Sequence, residues 1–485
     1  MAGNNKELIG KARSAGRPRN SLTVANLMTV RNRAELAITS ERQLVLDLIG
    51  AGITRVLPEV LMRPTLKVED QALEVCGRTF DISRGRIFVI GGGKAASAMA
   101  QGLEAILGAG RITAGIVACN DRSSAIKKVE VVLAGHPIPD RRGVSAARRM
   151  MEMKGCYGIG AGDLVLCLVS GGGSALVSLP ADGVTLADKQ GATRLLLNCG
   201  ADIREINTVR KHLSAVKGGR LGAFFAPATV LSLIISDVVG DDLASVASGP
   251  TCPDPSTFAD ALGLLERYGL ADRAPAGVVE HLRAGYRGEI DETPKELKNC
   301  TNVLIGNNAM ALGAMAAAGR SLGLDPVVVT AALSGETGEV ARLRAQEIMS
   351  GRYRGHDLVL MGGETTPRLP GRAGRGGRNQ HYALVSLDEL KGFPGEWVMA
   401  SIGTDGSDYL PGVAGALVDR WSLERAAELG IDLAPFIESY NSNEALGRLG
   451  RSLIVTGNTG TNVGDLIVYL IGRKNRPKRL PLPSA

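Results

Sequence analysis

Two cations lie in glycine-rich turns, one in each half of the chain. Lys94 directly follows Gly91-Gly92-Gly93, and Arg378 directly follows Gly376-Gly377. Phosphoryl transfer needs cations on the moving group, a Mg²⁺ ion that bridges the polyphosphate, and alignment of the acceptor oxygen. A lysine at the start of a helix is electrostatically unfavourable without an anion, because that end of the helix is itself positive. We therefore predict that Lys94 and Arg378 act in phosphoryl transfer.

Four carboxylates follow directly after apolar, strand-like segments: Asp237, Asp241, Glu364 and Asp405. Packing explains such residues poorly, and α/β folds place metal and ligand contacts just past the carboxyl ends of their strands. We predict that Asp237 and Asp405 bind Mg²⁺ or its water ligands.

The segment 207–220 carries several cations within a short helical stretch. A solvated helix face is the simpler explanation of such a segment.

A repeated pattern of strand, glycine-rich turn and helix positions these side chains. In its first occurrence the apolar strand 86–90 leads into Gly91-Gly92-Gly93 and then into an Ala-rich helix. Such a turn brings unpaired backbone N–H groups and a positive helix end to one place, which suits phosphate. The pattern recurs three times downstream, so we expect a phosphate-binding cleft. The predicted nucleotide-binding residues are Gly91, Gly92, Gly93, Ser170, Gly171, Gly172, Gly173, Ser174, Gly362, Gly363, Glu364 and Thr404.

The first turn also fits a dinucleotide-binding site. Gly91-x-Gly93-x-x-Ala96 lies between a strand and a helix, and Asp121 lies past the next strand, where a ribose acceptor would be. Lys94 argues against this interpretation, because a dinucleotide pyrophosphate normally needs only backbone there. A P-loop is excluded, since Gly-x-x-x-x-Gly-Lys-Ser/Thr does not occur.

Length and composition indicate a two-domain α/β protein. The chain has 485 residues, 63 glycines and only 4% aromatic residues, and a single core rarely serves that length. Continuous apolar strands that alternate with helices indicate a parallel sheet covered on both faces. We predict a disordered basic arm over 1–39, a first domain over 40–290, a second over 300–472 that opens with the strand at 303–305, and a basic tail over 473–485.

The net charge of +7 comes from the two ends of the chain, and the rest holds slightly more acids than bases. This argues against a folded nucleic-acid-binding surface. No apolar run approaches the roughly 18 residues that cross a bilayer, and the first 40 residues lack the apolar stretch of a secretory signal. The seven cysteines are scattered and odd in number, so we expect a reducing cytoplasm and no zinc site.

Taken together, the motifs resemble the glycerate 2-kinase family whose second domain is called MOFRL. They are Gly91-Gly-Gly-Lys94, Gly135-His-Pro-Ile-Pro-Asp140, Ser170-Gly-Gly-Gly-Ser174, Asn207-Thr-Val-Arg-Lys-His212, Ser236-Asp237 with Gly249-Pro250-Thr251, Gly362-Gly363-Glu364-Thr365, Gly377-Arg378-Asn379-Gln380 and Gly403-Thr404-Asp405-Gly406. The resemblance covers about residues 40–472.

The resemblance implies ATP-dependent phosphorylation of D-glycerate on its 2-hydroxyl, with Mg²⁺, to give 2-phosphoglycerate. It also implies a cleft between two three-layer α/β/α domains, the first with a mostly parallel Rossmann-like sheet and the second with a mixed sheet. The family's active-site lysine and arginine match Lys94 and Arg378. The implied substrate is a small carboxylate, which needs a cation to bind it. We therefore predict that Arg210 or Lys211 binds the substrate carboxylate, and we place Asn207 in the same substrate-binding group.

Two other functions remain open at the level of sequence. One is an NAD(P)H-dependent hydroxypyruvate reductase, because members of the family often carry that label. The other is a non-catalytic nucleotide-binding regulator that uses its basic ends as interaction arms. Another small 2-hydroxy acid as substrate, and assembly into a homodimer, also remain open.

Overall fold

The computed structural model of the chain describes residues 30–69, 71–83, 85–123 and 125–472. The predicted tail and residues 1–29 of the predicted arm lie outside the described residues. Within the described part, no helix combines the length and the apolar character needed to cross a bilayer.

The described chain contains fifteen strands and seventeen α-helices. The strands are β1 (Leu66–Glu69), β2 (Ala72–Val75), β3 (Arg78–Asp81), β4 (Ile87–Gly92), β5 (Ile112–Cys119), β6 (Glu130–Leu133), β7 (Leu164–Ser170), β8 (Thr229–Ile235), β9 (Cys300–Gly306), β10 (Pro326–Leu333), β11 (Leu358–Gly363), β12 (Trp397–Gly403), β13 (Gly415–Asp419), β14 (Leu453–Ile454) and β15 (Asp465–Ile471). The helices are α1 (Arg33–Leu36), α2 (Ser40–Arg55), α3 (Pro58–Thr65), α4 (Ala96–Leu107), α5 (Arg141–Tyr157), α6 (Gly173–Leu176), α7 (Leu186–Asn198), α8 (Ile203–His212), α9 (Arg220–Phe224), α10 (Phe258–Arg267), α11 (Ala276–Tyr286), α12 (Asn308–Ser321), α13 (Thr337–Met349), α14 (Arg378–Glu389), α15 (Arg420–Glu428), α16 (Ala434–Glu438) and α17 (Ser442–Leu449).

The first large sheet has six strands in the order β6-β5-β4-β7-β8-β9, and every pair in it is parallel. All residues of β4 and β7 are buried, because helices cover both faces and leave no solvent face for polar residues. The prediction of a parallel sheet is confirmed. The carboxyl ends of β4, β7 and β8 therefore meet at one edge of this sheet.

The second large sheet is mixed, as predicted, with the order β10-β11-β15-β12-β13-β14. Strands β10 and β11 are parallel, whereas β15 runs antiparallel to both β11 and β12. The start of β15 consequently lies beside the ends of its neighbours, and Asp465 is in register with Gly363 and Gly403.

The two sheets share an inner hydrophobic core. Helices α2 and α12 pack together against the second sheet, and α3 packs with α4, which lies on the first. One continuous cluster of buried side chains joins these helices to both sheets. It includes Leu48, Met99, Leu166, Met315 and Val468. We call the half built on the first sheet the first lobe and the half built on the second sheet the second lobe.

Helices α7, α8, α10 and α11 form a separate unit on the first lobe, which we call the helical cluster. They pack on one another around their own small core, which contains Leu196, Val209, Phe258 and Leu282. This unit carries Arg210, Lys211 and His212 of the segment 207–220, whereas Lys217 and Arg220 lie outside its helices.

Two sequence expectations about the ends of the lobes are wrong. Residues 30–39 are not a disordered arm, because Val30 and Leu36 are buried and the backbone N–H of Arg31 donates to Val455 O at 2.7 Å. The strand at 303–305 does not open the second sheet, because β9 pairs with β8 and completes the first. The limits 40–290 and 300–472 as folding units stay predictions.

Candidate active site

The turn that carries Lys94 packs tightly against the turn after β7. The backbone N–H of Lys94 donates to Gly171 O at 2.8 Å, and that of Ala95 donates to Ser170 Oγ at 3.0 Å. The N–H of Gly93 donates to Ala118 O at 3.1 Å. The expectation of unpaired N–H groups is therefore wrong for these three residues. The glycines allow the close approach instead, since a Cβ at Gly93 would collide with Ser170.

Free N–H groups lie in the second turn, Ser170-Gly171-Gly172-Gly173-Ser174. Among the described residues, the backbone N–H groups of Gly172, Gly173 and Ser174 have no hydrogen-bond acceptor. Gly172 has a φ of +80°, a left-handed conformation that glycine adopts without strain. These N–H groups are available to an anion that approaches the edge of the first sheet.

Lys94 reaches across to the second lobe. Its Nζ lies 2.6 Å from Asp405 Oδ2, and the two side chains are 22% and 12% exposed. Asp405 itself is oriented by the N–H of Ser407, which donates to its Oδ1 at 2.9 Å. In this structure the lysine charge is therefore neutralised by a carboxylate of the opposite lobe.

Arg378 is the first residue of α14 and is held by two carboxylates. Its Nε and Nη2 donate to the two oxygens of Asp465 at 2.6 and 3.0 Å, and its Nη1 donates to Glu364 Oε1 at 2.5 Å. Asp408 fixes the start of the helix by accepting the N–H groups of Asn379 and Gln380 at 3.0 and 2.8 Å. The guanidinium is thus positioned by α14 and held by its two hydrogen bonds to Asp465.

Asp237 lies at the contact between the lobes. It follows β8, and its Oδ2 accepts a hydrogen bond from Asn462 Nδ2 of the second lobe at 2.7 Å. Burial raises the pKa of the Asp237 carboxyl, and the charges of Lys94 and Arg378 both act to lower it. Lys94 contacts Asp405, which lies two residues after Gly403, and Arg378 contacts Asp465. Because Asp465 is in register with Gly403, both cations lie at the same edge of the second sheet.

A chain of polar side chains links the second turn to the helical cluster. Ser174 Oγ and Ser248 Oγ lie 2.8 Å apart, and Ser248 Oγ donates to Asn207 Oδ1 at 3.1 Å. Asn207 therefore lies next to the glycine-rich turn, as its predicted role requires. Arg210 lies three residues further along α8 and so on the same side of the helix.

The structure distinguishes the two predicted carboxylate-binding cations. Lys211 is buried and its Nζ lies 3.2 Å from Asp254 Oδ1, so its charge is already compensated. Arg210 is half-buried, and among the described residues it has no hydrogen-bond or ion-pair partner. This arrangement favours Arg210 over Lys211 as the residue that binds an incoming anion.

The remaining predicted residues lie near the same centre. Gly362 and Gly363 end β11, and the N–H of Glu364 donates to Leu333 O at 2.8 Å. Thr404 is buried, and its Oγ1 donates to Gly464 O at 2.6 Å, so this side chain shapes the turn before Asp405.

Sequence reasoning missed Asp465 and Asn462. The predicted carboxylates follow strands, whereas Asp465 begins β15 and Asn462 precedes it. Because β15 is antiparallel to its neighbours, its start lies at the same edge as their ends. The signal that could have found them is the polar segment Thr459-Gly-Thr-Asn462 directly before an apolar strand.

Comparison with known proteins gives a consistent picture. Residues 44–283 match the model of a domain of unknown function, DUF4147, and residues 357–465 match the MOFRL family. A glycerate 2-kinase of Pyrococcus horikoshii is 38% identical over 89% of this chain and 98% of its own length. A protein of Agrobacterium vitis with a provisional hydroxypyruvate reductase name is 39% identical over 83% of this chain and 91% of its own.

The fold is similar to a solved structure as well. The crystal structure of a Thermotoga maritima glycerate kinase superposes with a TM-score of 0.75 at 34% identity, over 89% of this chain and 99% of that one. The family models, the curated relatives and the solved structure agree over both lobes. The chain belongs to the glycerate kinase family that combines a DUF4147 domain with a MOFRL domain.

Proposed function

We propose that this protein is an ATP-dependent glycerate 2-kinase, which transfers the γ-phosphoryl group of ATP to the 2-hydroxyl of D-glycerate. The observation that carries the proposal is that Lys94 of the first lobe contacts Asp405, while Arg378 of the second lobe contacts Asp465, and both carboxylates lie at the same edge of the second sheet. Two cations around one point are what a phosphoryl group with developing charge on its oxygens needs.

The nucleotide phosphates bind at the turn Ser170–Ser174 in this proposal. The free N–H groups of Gly172, Gly173 and Ser174 donate to phosphate oxygens there. Lys94 exchanges Asp405 for an oxygen of the transferred group. Arg378 keeps Asp465, which orients it, and turns the Nη1 that now holds Glu364 towards the same group.

Mg²⁺ fits the carboxylates of this centre. Among the described residues, no group of three or more His, Cys, Asp or Glu side chains is arranged to hold a metal ion. Mg²⁺ is usually held by one or two carboxylates together with substrate phosphates and water. Asp237 and Asp405 are the residues that would hold it here, and the ion would neutralise charge on the polyphosphate.

The acceptor binds between the second turn and α8. Arg210 binds the carboxylate of the hydroxy acid, and Asn207 lies three residues before it on the same helix. This placement brings the 2-hydroxyl towards the edge of the first sheet, where Lys94 lies.

The geometry argues against a dinucleotide site in the first turn. A bound pyrophosphate would need backbone N–H groups there, and those of Gly93, Lys94 and Ala95 already donate to protein oxygens. The glycine pattern of the first turn therefore no longer supports the reductase alternative.

A coupled assay with ATP, Mg²⁺ and D-glycerate, followed by determination of the phosphorylated position, tests the proposal. Formation of 2-phosphoglycerate supports it. Oxidation of NAD(P)H by hydroxypyruvate without ATP would instead indicate the reductase, and ATP binding without turnover would indicate a regulator. A cytoplasmic location, the absence of nucleic-acid partners and the oligomeric state stay predictions.

A further inference from the structure

Three basic side chains beside the proposed acceptor site have no acidic partner among the residues that the structure describes. Lys189 belongs to α7, Arg210 to α8, and Lys217 to the segment between α8 and α9. The two lysines are 4% and 2% exposed. We call these three residues the cation triad. Neither the family resemblance nor the sequence motifs single out Lys189 or Lys217.

Their hydrogen bonds leave most donors unused. Lys189 Nζ is buried and makes no hydrogen bond to any described residue. Lys217 Nζ donates to two backbone carbonyls, Gly173 O at 3.3 Å and Ala247 O at 3.1 Å. An ammonium has three donors and a guanidinium has five, and Arg210 has no partner in the described chain.

The three side chains belong to neighbouring elements, because α7 packs on α8 and Lys217 lies five residues after the end of α8. Burial first, and then the charge of Arg210, lowers the pKa of Lys189 to about 7. Burial, Lys189 and Arg210 together lower the pKa of Lys217 well below its ordinary value. No carboxylate among the described residues offsets these effects. Buried ammonium and guanidinium groups are normally paired with an acid, so three such groups without a counterion among the described residues indicate that an anion completes the group.

The triad lies next to the glycine-rich turn. Lys217 contacts Gly173 O within that turn, and Ser174 is connected through Ser248 to Asn207, which lies one turn before Arg210 on α8. An anion bound by the cation triad therefore lies beside the nucleotide that we place at the turn. The triad holds this anion, whereas the backbone N–H groups of the turn hold the nucleotide phosphates.

We propose that Lys189, together with Arg210 and Lys217, binds the carboxylate of the hydroxy-acid acceptor and so distinguishes acids from uncharged alcohols. This inference rests on the proposed function and deepens it by assigning the residues that select the substrate. The charged oxygens of the carboxylate accept from the unused donors of Lys189 and Arg210, while the 2-hydroxyl remains free to receive the phosphoryl group.

The test compares D-glycerate with its methyl ester, which keeps the 2-hydroxyl and loses the charge. The ratio of kcat/KM for acid over ester should fall about 10- to 100-fold in Lys189→Met, as expected for losing a charged hydrogen bond. The KM for ATP should stay within about twofold of wild type, since the phosphates bind elsewhere. Arg194→Met removes an exposed cation from the same helix and should leave the ratio unchanged.

A second variant and a binding measurement guard against a folding artefact. Arg210→Gln changes a half-buried side chain and should lower the same ratio. Calorimetric titration of D-glycerate without ATP should show weaker binding by a similar factor in both variants. The melting temperature of Lys189→Met should not fall below wild type, because the variant removes an unpaired buried ammonium.

The possible failures are distinguishable. A wild-type enzyme that transfers no phosphoryl group to D-glycerate overturns the proposed function. A wild-type enzyme that does so, with equal acid-to-ester ratios in wild type and both variants, overturns the inference alone. A rise in the KM for ATP in place of the KM for D-glycerate also overturns it, because the triad would then bind nucleotide phosphate.

Discussion

Lys94 Nζ and Asp405 Oδ2 lie 2.6 Å apart and join the two lobes directly. The lysine proposed to bind the moving phosphoryl group is therefore neutralised by a carboxylate before ATP arrives. Arg378 is in the same condition, since Asp465 and Glu364 contact it. The carboxylates keep both cations oriented while the site is empty of phosphate.

Lys94→Ala should lower kcat by about 10²- to 10³-fold, the usual effect of removing one group that stabilises transition-state charge. The fold should be kept, because Lys94 is partly exposed and its backbone hydrogen bonds do not depend on the side chain. Turnover is measured by the coupled assay and folding by thermal melting. Lys128→Ala, at an exposed position, serves as the control. Turnover near the wild-type value would remove Lys94 from the mechanism.

Arg378→Ala should abolish activity and also destabilise the protein by about 3–5 kcal/mol, because Asp465 becomes a buried carboxylate without its partner. Asp465 is 4% exposed on its side chain, which is why this loss is larger than for Lys94. Urea unfolding measures this loss of unfolding free energy, and Arg372→Ala, at an exposed position, serves as the control.

Removing both charges separates the two effects. The double variant Arg378→Ala, Asp465→Asn should recover part of the stability and none of the activity. If Arg378→Ala has the same urea midpoint of unfolding as wild type, the ion pair between Arg378 and Asp465 does not stabilise the fold.

Asp237→Asn and Asp405→Asn should each raise the Mg²⁺ concentration needed for half-maximal rate, by about tenfold or more, since fewer charged oxygens remain to hold the ion. The measurement is a Mg²⁺ titration at saturating ATP and D-glycerate. Asp242→Asn changes an exposed carboxylate of the same loop and should leave the titration unchanged. An unaltered Mg²⁺ requirement in both site variants would exclude these residues as ligands.

The pH dependence of stability should reveal the titration of Lys189. The unfolded chain keeps this proton up to its ordinary pKa of 10.5, whereas the folded protein releases it at about 7 because of burial and Arg210. Between these values the unfolded state binds more protons, so the contribution of Lys189 to stability increases with pH. Without substrate, the melting temperature of wild type minus that of Lys189→Met should therefore rise from pH 7 to pH 10. A flat or falling difference would contradict this titration.

Arg42→Ala should reduce the free energy of unfolding by about 3–5 kcal/mol. Arg42 is fully buried, and its Nε and Nη2 donate to both oxygens of Asp419 in the second lobe at 2.6 and 2.7 Å. Arg63→Ala breaks an exposed pair with Glu59 and should cost less than about 0.5 kcal/mol. Similar losses for the two variants would show that α2 does not anchor the second lobe.

The sequence predicted the strands and turns of the site well. The continuous apolar runs of β4, β7, β8, β11 and β12 end in glycines or carboxylates, and burial on both faces leaves only such runs as strands. Lys94, Asp237 and Asp405 were proposed because they closely follow such runs, whereas Arg378 was proposed because it follows the two glycines of a turn.

The sequence predicted less where distant parts of the chain meet. Lys189 looks like a solvated residue of an amphipathic helix, and only the packing of α7 against α8 shows that it is buried. Residues 30–39 mix polar and apolar types, and their order depends on contacts with β14 and the residues after it that no local pattern reveals. The sequence also assigned β9 to the second domain, although it pairs with β8 of the first sheet. No local pattern reveals that pairing.

Each half of the chain contributes one element to the other. Helix α2 comes from the N-terminal half and packs on the second sheet, whereas β9 comes from the C-terminal half and completes the first sheet. Two fragments produced separately by cutting near residue 295 would each expose apolar surface that the intact chain covers. We therefore expect such fragments to be poorly soluble alone and to regain activity only on co-expression, so that the enzyme behaves as one cooperative unit despite its two sheets.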